Sequence, residues 1–178
     1  MCYLEKAFAA RLALSFFGNK YLAPRKLTPG KLSYSTTYER IQIDETDHRI
    51  MREIVRAGEK SRRDIARSIA LPFSTVENRI KKLEQQKVIV GYYYQLNSAM
   101  IGIQSFMLLL SVKGFSTEHK KKLFKFCQEH PNIVVLIEAI GSWDFELAVE
   151  VEDARQVIQL VQELQDRFSA YLHGIKVL

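Results

Sequence analysis

Thr75, Asn78, Arg79 and Lys82 stand at i, i+3, i+4 and i+7. On an α-helix that spacing gathers them on one face. They bring a hydroxyl, a carboxamide, a guanidinium and an ammonium, groups able to donate to base edges and to phosphate oxygens. Ser74 and Lys81 flank the set. The chemistry is recognition of a polyanion rather than bond making. A solvated helix surface carries the same residue types, so the surrounding elements have to decide between the two.

The elements favour recognition. Val76, Ile80 and Leu83 recur at i, i+4 and i+7 and give the same helix a buried stripe. Ser74 reads as its N-cap, and Glu77 three residues on completes a capping box. Leu71-Pro72-Phe73 breaks the chain just before it. A shorter helix precedes the break, begun by Ser61 with Asp64 at the capping-box position and facing inward through Ile65 and Ile69. A first helix begins after Asp44, a good N-cap, with Glu45 and Asp47 in the turn where the helix dipole favours negative charge. Ile50, Ile54 and Ala57 form its stripe, and Gly58 ends it. Three short helices with a tight break between the second and third make a helix-turn-helix. Such a motif lays the exposed face of its last helix in the major groove of double-stranded DNA. Beyond Lys87, Val88-Ile89-Val90, Gly91 and Tyr92-Tyr93-Tyr94-Gln95-Leu96 read as a hairpin or wing. The tyrosine run suits a half-buried strand better than a stacking platform for single-stranded bases.

The charge agrees with this placement. The 178 residues carry 26 Lys+Arg against 20 Asp+Glu, a formal net charge of +6. Residues 1–43 hold +5, residues 44–87 hold +3 and residues 88–178 hold −2, so a polyanion is met by the front of the chain. An apolar fraction of 47% with 26% charged residues is globular, not disordered. No stretch has the roughly 18 uncharged apolar residues of a membrane span, and no signal peptide is legible, so a cytoplasmic protein is expected. Cys2 and Cys127 make no disulfide framework, and no zinc-ligand spacing is present. Cys127-x-x-His130 reads as a buried cysteine beside a histidine at a helix end rather than a metal site. Glu138, Asp144, Glu146 and Glu150 read as polar positions of a sheet rather than general acids and bases. With no phosphate-cradling glycine loop either, no enzyme, cofactor or metal is expected.

Two further segments flank the helices. In residues 1–43, Leu4, Phe8, Leu12 and Phe16 recur every four residues, which predicts an amphipathic helix, and Gly18 to Ser35 reads as an exposed linker. Residues 98–178 alternate in strands and carry two helical stripes. Phe106, Leu108, Leu110 and Val112 share one face, with Met107, Leu109 and Ser111 on the other. Ser116 caps a helix facing inward through Leu123, Phe126 and Cys127, and Ile133 to Ile140 is a second strand. After Gly141-Ser142-Trp143, Phe145, Leu147, Val149 and Val151 alternate in a third. Asp153 caps a helix with Val157, Val161, Leu164 and Phe168 inward, and Ile175 to Leu178 is the last strand. The β-α-β-β-α-β order is ferredoxin-like, with both helices on one sheet face. The first two strands are apolar on both sides, so the uncovered face predicts a homodimer packed sheet to sheet. The pattern alone does not say whether Leu108 or Leu109 faces the helices.

Taken in order, three pieces resemble the Lrp/AsnC, or feast/famine, family of transcriptional regulators. They are Ile43-Asp44-Glu45-Thr46-Asp47-His48-Arg49-Ile50, then Ser74 to Glu84 followed by Val88-Ile89 and Gly91-Tyr92, then Gly141-Ser142-Trp143-Asp144. The resemblance spans about residues 41–178. It implies an α+β chain with a winged helix-turn-helix over 44–97 and a ferredoxin-like sensing and oligomerisation domain over 98–178. It also implies a dimer that often assembles further, and an amino-acid effector near Gly141, Ser142, Trp143 and Asp144. Ile140 stands where the family often has Thr before the turn glycine, and Trp143 suits a pocket wall or a packing anchor. Residues 1–43 are then an extension, or the tail of a preceding sensing-like domain as in tandem family members. Two other readings compete. One is a siroheme-decarboxylase-like enzyme of the same architecture, whose Arg-Pro-Phe/Tyr and histidine-rich motifs are not found at Arg62-Arg63-Asp64-Ile65 or Gln95-Leu96-Asn97-Ser98. The other is an assembly module without DNA affinity, which the Arg79/Lys82 face disfavours.

Overall fold

The computed structural model describes residues 9–20, 32–35, 40–57, 61–92 and 96–178. In chain order the elements are β1 (Ala9–Phe16), β2 (Leu32–Ser35), α1 (Glu45–Ala57), α2 (Arg62–Ser68), α3 (Phe73–Gln85), a 3₁₀ turn at Ser98–Ile101, β3 (Gln104–Val112), α4 (Thr117–Glu129), β4 (Ile133–Gly141), β5 (Phe145–Val151), α5 (Arg155–Phe168) and β6 (Leu172–Val177). The chain divides into two compact units. Residues 37–93 form one, and the segments before and after them together form the other. The helix-turn-helix is thus inserted between two parts of a single α+β body.

That body is a six-stranded antiparallel sheet in the order β2-β1-β4-β5-β3-β6. Its last four members are the expected ferredoxin-like set. Leu108 and Leu110 of β3 join Leu147 and Val149 of β5 in the core beneath α4 and α5, with Leu123, Phe126, Leu160 and Leu164 supplied by the helices. Cross-strand pairing places Leu109 beside Glu146 on the opposite face. The ambiguity left by two-sided apolar strands is thereby resolved: Leu108 faces the helices and Leu109 faces away.

The N-terminal segment departs from expectation. Residues 9–16, read as part of an amphipathic helix, form strand β1, which pairs along nearly the whole of β4. Leu4 and Phe8 lie outside the described residues. Alanine and leucine are good helix formers, but intrinsic propensity is a small term that tertiary pairing overrides. The outer edge of β4 offers a full row of backbone donors and acceptors, and pairing with it prevails. A bulge between Arg11 and Ala13 resets the alternation. Phe17 then enters the core, where only 2% of its surface stays exposed and its ring meets Phe124 edge-on at 5.4 Å. Part of the expected linker is also structured. Lys20 Nζ donates to the carbonyls of Cys127 (2.9 Å), Gln128 (3.0 Å) and His130 (2.6 Å), which close the C-terminal end of α4. Burial pulls the Lys20 ammonium down to about 8. The same surroundings push the buried Cys127 thiol up to about 12, which fits the expected inert core cysteine.

The sheet face turned away from the helices is less uniformly apolar than its sequence suggests. Leu109, Ile137 and Ala139 are buried there, but so is the Glu146 carboxylate. Arg11 Nη2 donates to Glu146 Oε2 at 2.9 Å, and Trp143 Nε1 donates to Oε1 at 3.0 Å. Both carboxylate oxygens are therefore satisfied, one of them by the N-terminal strand.

If β1 is integral, Phe17→Ala should cost about 3–5 kcal/mol in chemical unfolding, as a large core truncation does. Lys20→Met should cost about 1–2 kcal/mol by uncapping α4. Equal midpoints for wild type and Phe17→Ala would mean that the segment is only loosely attached.

Candidate nucleic-acid interface and sensing turn

In the helical unit, local capping and a long-range ion cluster fix the position of α3. Asp44 Oδ1 accepts from the N–H of Asp47 at 2.9 Å, and Asp47 Oδ2 accepts from the N–H of Asp44 at 3.2 Å. The expected Asp44 cap is thus reciprocal. Arg79, on α3, donates from Nη1 to Asp47 Oδ1 at 3.1 Å and to Asp44 Oδ2. Its hydrogen bond, with that of the Asp47 N–H, holds the Asp44 carboxyl below the usual carboxylate range. Arg79 therefore lies on the flank of the Val76–Ile80–Leu83 stripe and reaches back to α1.

Ser61 and Asp64 form the capping box read from sequence at the start of α2. The box expected at Ser74 and Glu77 does not form. The helix starts two residues earlier, at Phe73 with Pro72 as its N-cap, and the Pro72 carbonyl accepts from the N–H of Val76 at 3.2 Å. Proline presets its own φ, so the turn begins directly after it and draws Ser74 into the helix. Glu77 instead meets Lys81 at 3.1 Å and Arg62 at 3.7 Å, while Arg62 also reaches Glu84 at 2.9 Å.

Both α2 and α3 end in left-handed residues that are not glycine. Ala70 has φ 52° and Lys87 has φ 59°. After α2, the Leu71 N–H bonds the Ala66 carbonyl and the Ala70 N–H bonds the Arg67 carbonyl; after α3, Val88 reaches Leu83 and Lys87 reaches Glu84. These paired reverse bonds are the usual glycine-type helix stop, made here without glycine. Gly58, expected to end α1, lies outside the described residues. Val88 to Val90 carry no strand pairing, contrary to the expected hairpin, because backbone bonds to Leu83 hold Val88 and Ile89 against the end of α3. Tyr93 to Gln95 lie outside the described residues.

The proposed recognition residues consequently differ in freedom. Ser74, Asn78, Lys81 and Lys82 are exposed and Thr75 is half-buried. Lys81 is held by Glu77. Neither Asn78 nor Lys82 meets a carboxylate among the described residues. Arg79 is committed to the acids of α1.

At the other candidate site, Gly141 has φ 140°, a conformation that favours glycine, and Ser142 is exposed. Asp144 joins three strands. Its Oδ2 accepts from the N–H of Val112 at 2.7 Å, its N–H donates to the Leu110 carbonyl at 2.9 Å, and its carbonyl accepts from Ala139 at 2.8 Å. A cavity of about 260 Å³ opens beside it, bounded by Lys120, Glu138 and Phe115. Lys120 and Glu138 form an ion pair at its mouth. Trp143 is half-buried and bonded to Glu146, which makes it a packing anchor on the far side of the sheet. Among the described residues no group of three or more His, Cys, Asp or Glu is placed to hold a metal, and no helix is long and apolar enough to cross a membrane.

A family model described as winged helix-turn-helix DNA-binding matches residues 43–90. The Bkd operon transcriptional regulator of Pseudomonas aeruginosa is 24% identical over 113 residues, covering 63% of this chain and 74% of the relative. Among solved structures, an AsnC family transcriptional regulator from Agrobacterium tumefaciens superimposes with a TM-score of 0.62 at 19% identity, over 76% of this chain and 88% of that one. The feast or famine regulatory protein of M. tuberculosis, complexed with L-methionine, gives 0.61 at 18% identity over 77% and 89%. Fold and helical motif define a DNA-binding transcriptional regulator. The chain shares its fold with AsnC family and feast or famine regulators.

Removing Arg79 leaves the buried Asp47 without its cation, so Arg79→Ala should destabilise the helical unit by about 1–3 kcal/mol in thermal or urea unfolding. The Asp44 contribution has a defined pH sense. Because its folded value is depressed, the stabilisation is complete above about pH 4 and is lost as pH falls through the lowered value. Asp44→Asn should flatten the acid limb of the unfolding curve; an unchanged acid limb would remove Asp44 from the account.

Proposed function

We propose that α3 enters the major groove of double-stranded DNA, with Asn78 at base edges and Ser74, Thr75 and Lys82 at phosphates or nearby base edges. The observation that carries this reading is the exposed arc of Asn78 and Lys82, unopposed by carboxylates, on the helix that the Arg79 cluster holds in place. Arg79 positions that helix, and Lys81, tied to Glu77, contributes field more than contact. The proposed place of action is the cytoplasm.

The α+β body carries dimerisation and sensing. The face bearing Leu109, Ile137 and Ala139 supports sheet-to-sheet packing with a second copy. An amino acid is the effector class, a reading supported by the L-methionine in the complexed solved structure and by the cavity beside Asp144, with Lys120 and Glu138 as opposite charges. Gly141 and Ser142 shape the turn, and Asp144 holds it against β3.

Lys82→Ala should weaken all duplexes alike and flatten the salt dependence by about one unit, whereas Asn78→Ala should relax sequence preference. Retention of wild-type binding by both variants would remove α3 from the groove. In sedimentation, Leu109→Lys should dissociate the dimer while leaving the monomer folded, and Leu108→Lys should unfold it, since only Leu108 lies under the helices. A wild-type monomer at micromolar concentration would reject the dimer. For sensing, calorimetry with each of the twenty amino acids should find one that binds wild type. Its binding should fall in Lys120→Ala without loss of fold, and no heat from any at millimolar ligand would reject this effector class.

A further inference from the structure

Outside the α3 face, the helical unit carries a second cationic feature that the recognition residues do not include. Arg63, Ala66, Arg67 and Ala70 stand at i, i+3, i+4 and i+7 along α2 and the turn after it. With Leu71 and Phe73 they line a groove of about 340 Å³ at the break between α2 and α3. Ala66 is buried in it, and both arginines are exposed. Arg67 is partly engaged by Asp64 at 3.2 Å. Arg63 meets no carboxylate among the described residues; its guanidinium lies 5.6 Å from the ring centroid of Phe73.

Phe73 stands at the end of this groove. It is the first residue of α3, and 41% of its surface is exposed, although Leu71 two residues earlier packs on the helical core. What distinguishes Phe73 from other exposed hydrophobes is its place, at the leading end of the recognition helix with a guanidinium over its ring. Its exposed ring sits at the end of the helix from which base edges are usually reached, and an apolar side chain there meets the methyl group of thymine. Arg63 on the ring face is correspondingly placed at the strand flanking that base, where a guanidinium takes a phosphate.

We propose that this groove is the second half of the DNA-binding surface, in which Phe73 reads a thymine methyl and Arg63 and Arg67 hold the adjacent phosphates. The proposal rests on the duplex-binding reading above and adds a specificity determinant to it. The occupant is duplex DNA because both charged groups of the groove are cations and its one aromatic ring is exposed beside them.

The test uses the full chain and a duplex recovered by in vitro selection with the wild type. Each thymine is replaced in turn by deoxyuridine, which removes the methyl and nothing else. At one position the wild type should lose about fourfold in affinity, the equivalent of about 0.8 kcal/mol for one buried methyl. Phe73→Ala should bind the thymine and deoxyuridine duplexes equally, and Phe73→Leu should restore part of the difference. Arg63→Ala should flatten the salt dependence by about one unit while keeping the thymine preference. Matching thermal unfolding of the variants shows that the effect is not one of folding. A wild type indifferent to every replacement, or Phe73→Ala as sensitive as wild type, overturns the assignment of Phe73. An unchanged salt slope for Arg63→Ala overturns that of Arg63. A wild type that selects no duplex at all overturns the underlying DNA reading instead.

Discussion

An exposed sheet edge is a row of backbone donors and acceptors that must be paired, covered or charged. In this chain the outer edge of β4 is paired by residues that precede the helix-turn-helix, and much of the molecule follows from that ladder. Once β1 is laid against β4, Phe17 is carried into the core beneath α4, Lys20 reaches the last carbonyls of that helix, and Arg11 comes over Glu146. One ladder thus supplies an aromatic to the core, a cation to a helix end and a counter-ion to a buried carboxylate. It also makes the helix-turn-helix an insertion whose two ends return to the same body.

Inside the helical unit, the cations of α3 divide the work by their angular position. Arg79, next to the buried stripe, is drawn to the acids at the start of α1. Lys81 is taken by Glu77 one turn back. Lys82, further round, is left to the solvent. A guanidinium presents a rigid fork of donors suited to joining two elements through carboxylates, whereas an ammonium is a compact, strongly hydrated point charge on a flexible stem. Of the cations on this helix, Arg79 is thus spent on joining α3 to α1 and Lys82 is left exposed.

The sheet face away from the helices combines two tendencies. Leu109, Ile137 and Ala139 are buried on it within the chain itself, while Glu146, Arg11 and Trp143 set a satisfied polar cluster in its midst. A second copy that covers this face must accommodate the cluster as well as the apolar groups. Geometry of that kind specifies a register better than a uniformly apolar surface does, because a shifted partner leaves a buried charge facing hydrocarbon.

Periodicity and local capping chemistry sufficed to place most of the elements. The Val76 and Ile65 stripes, the Asp44 and Ser61 caps, and the alternation of residues 104–112 and 145–151 each act over a few residues, and each is found where the sequence put it. So was the helix-turn-helix, whose signal is a sequence of local starts and stops. What the sequence could not decide were choices made between distant segments. Residues 9–16 carry a helical spacing and good helix formers, and only the free edge of β4, more than a hundred residues away, makes them a strand. Arg79 has the right type and spacing for base contact, and only the approach of α1 turns it inward. Ala70 and Lys87 stop helices as glycine would, because tertiary packing of Leu71 and Ile89 sustains a backbone conformation that their own side chains disfavour. Strands apolar on both faces likewise leave the choice between Leu108 and Leu109 to the helices that settle on one of them.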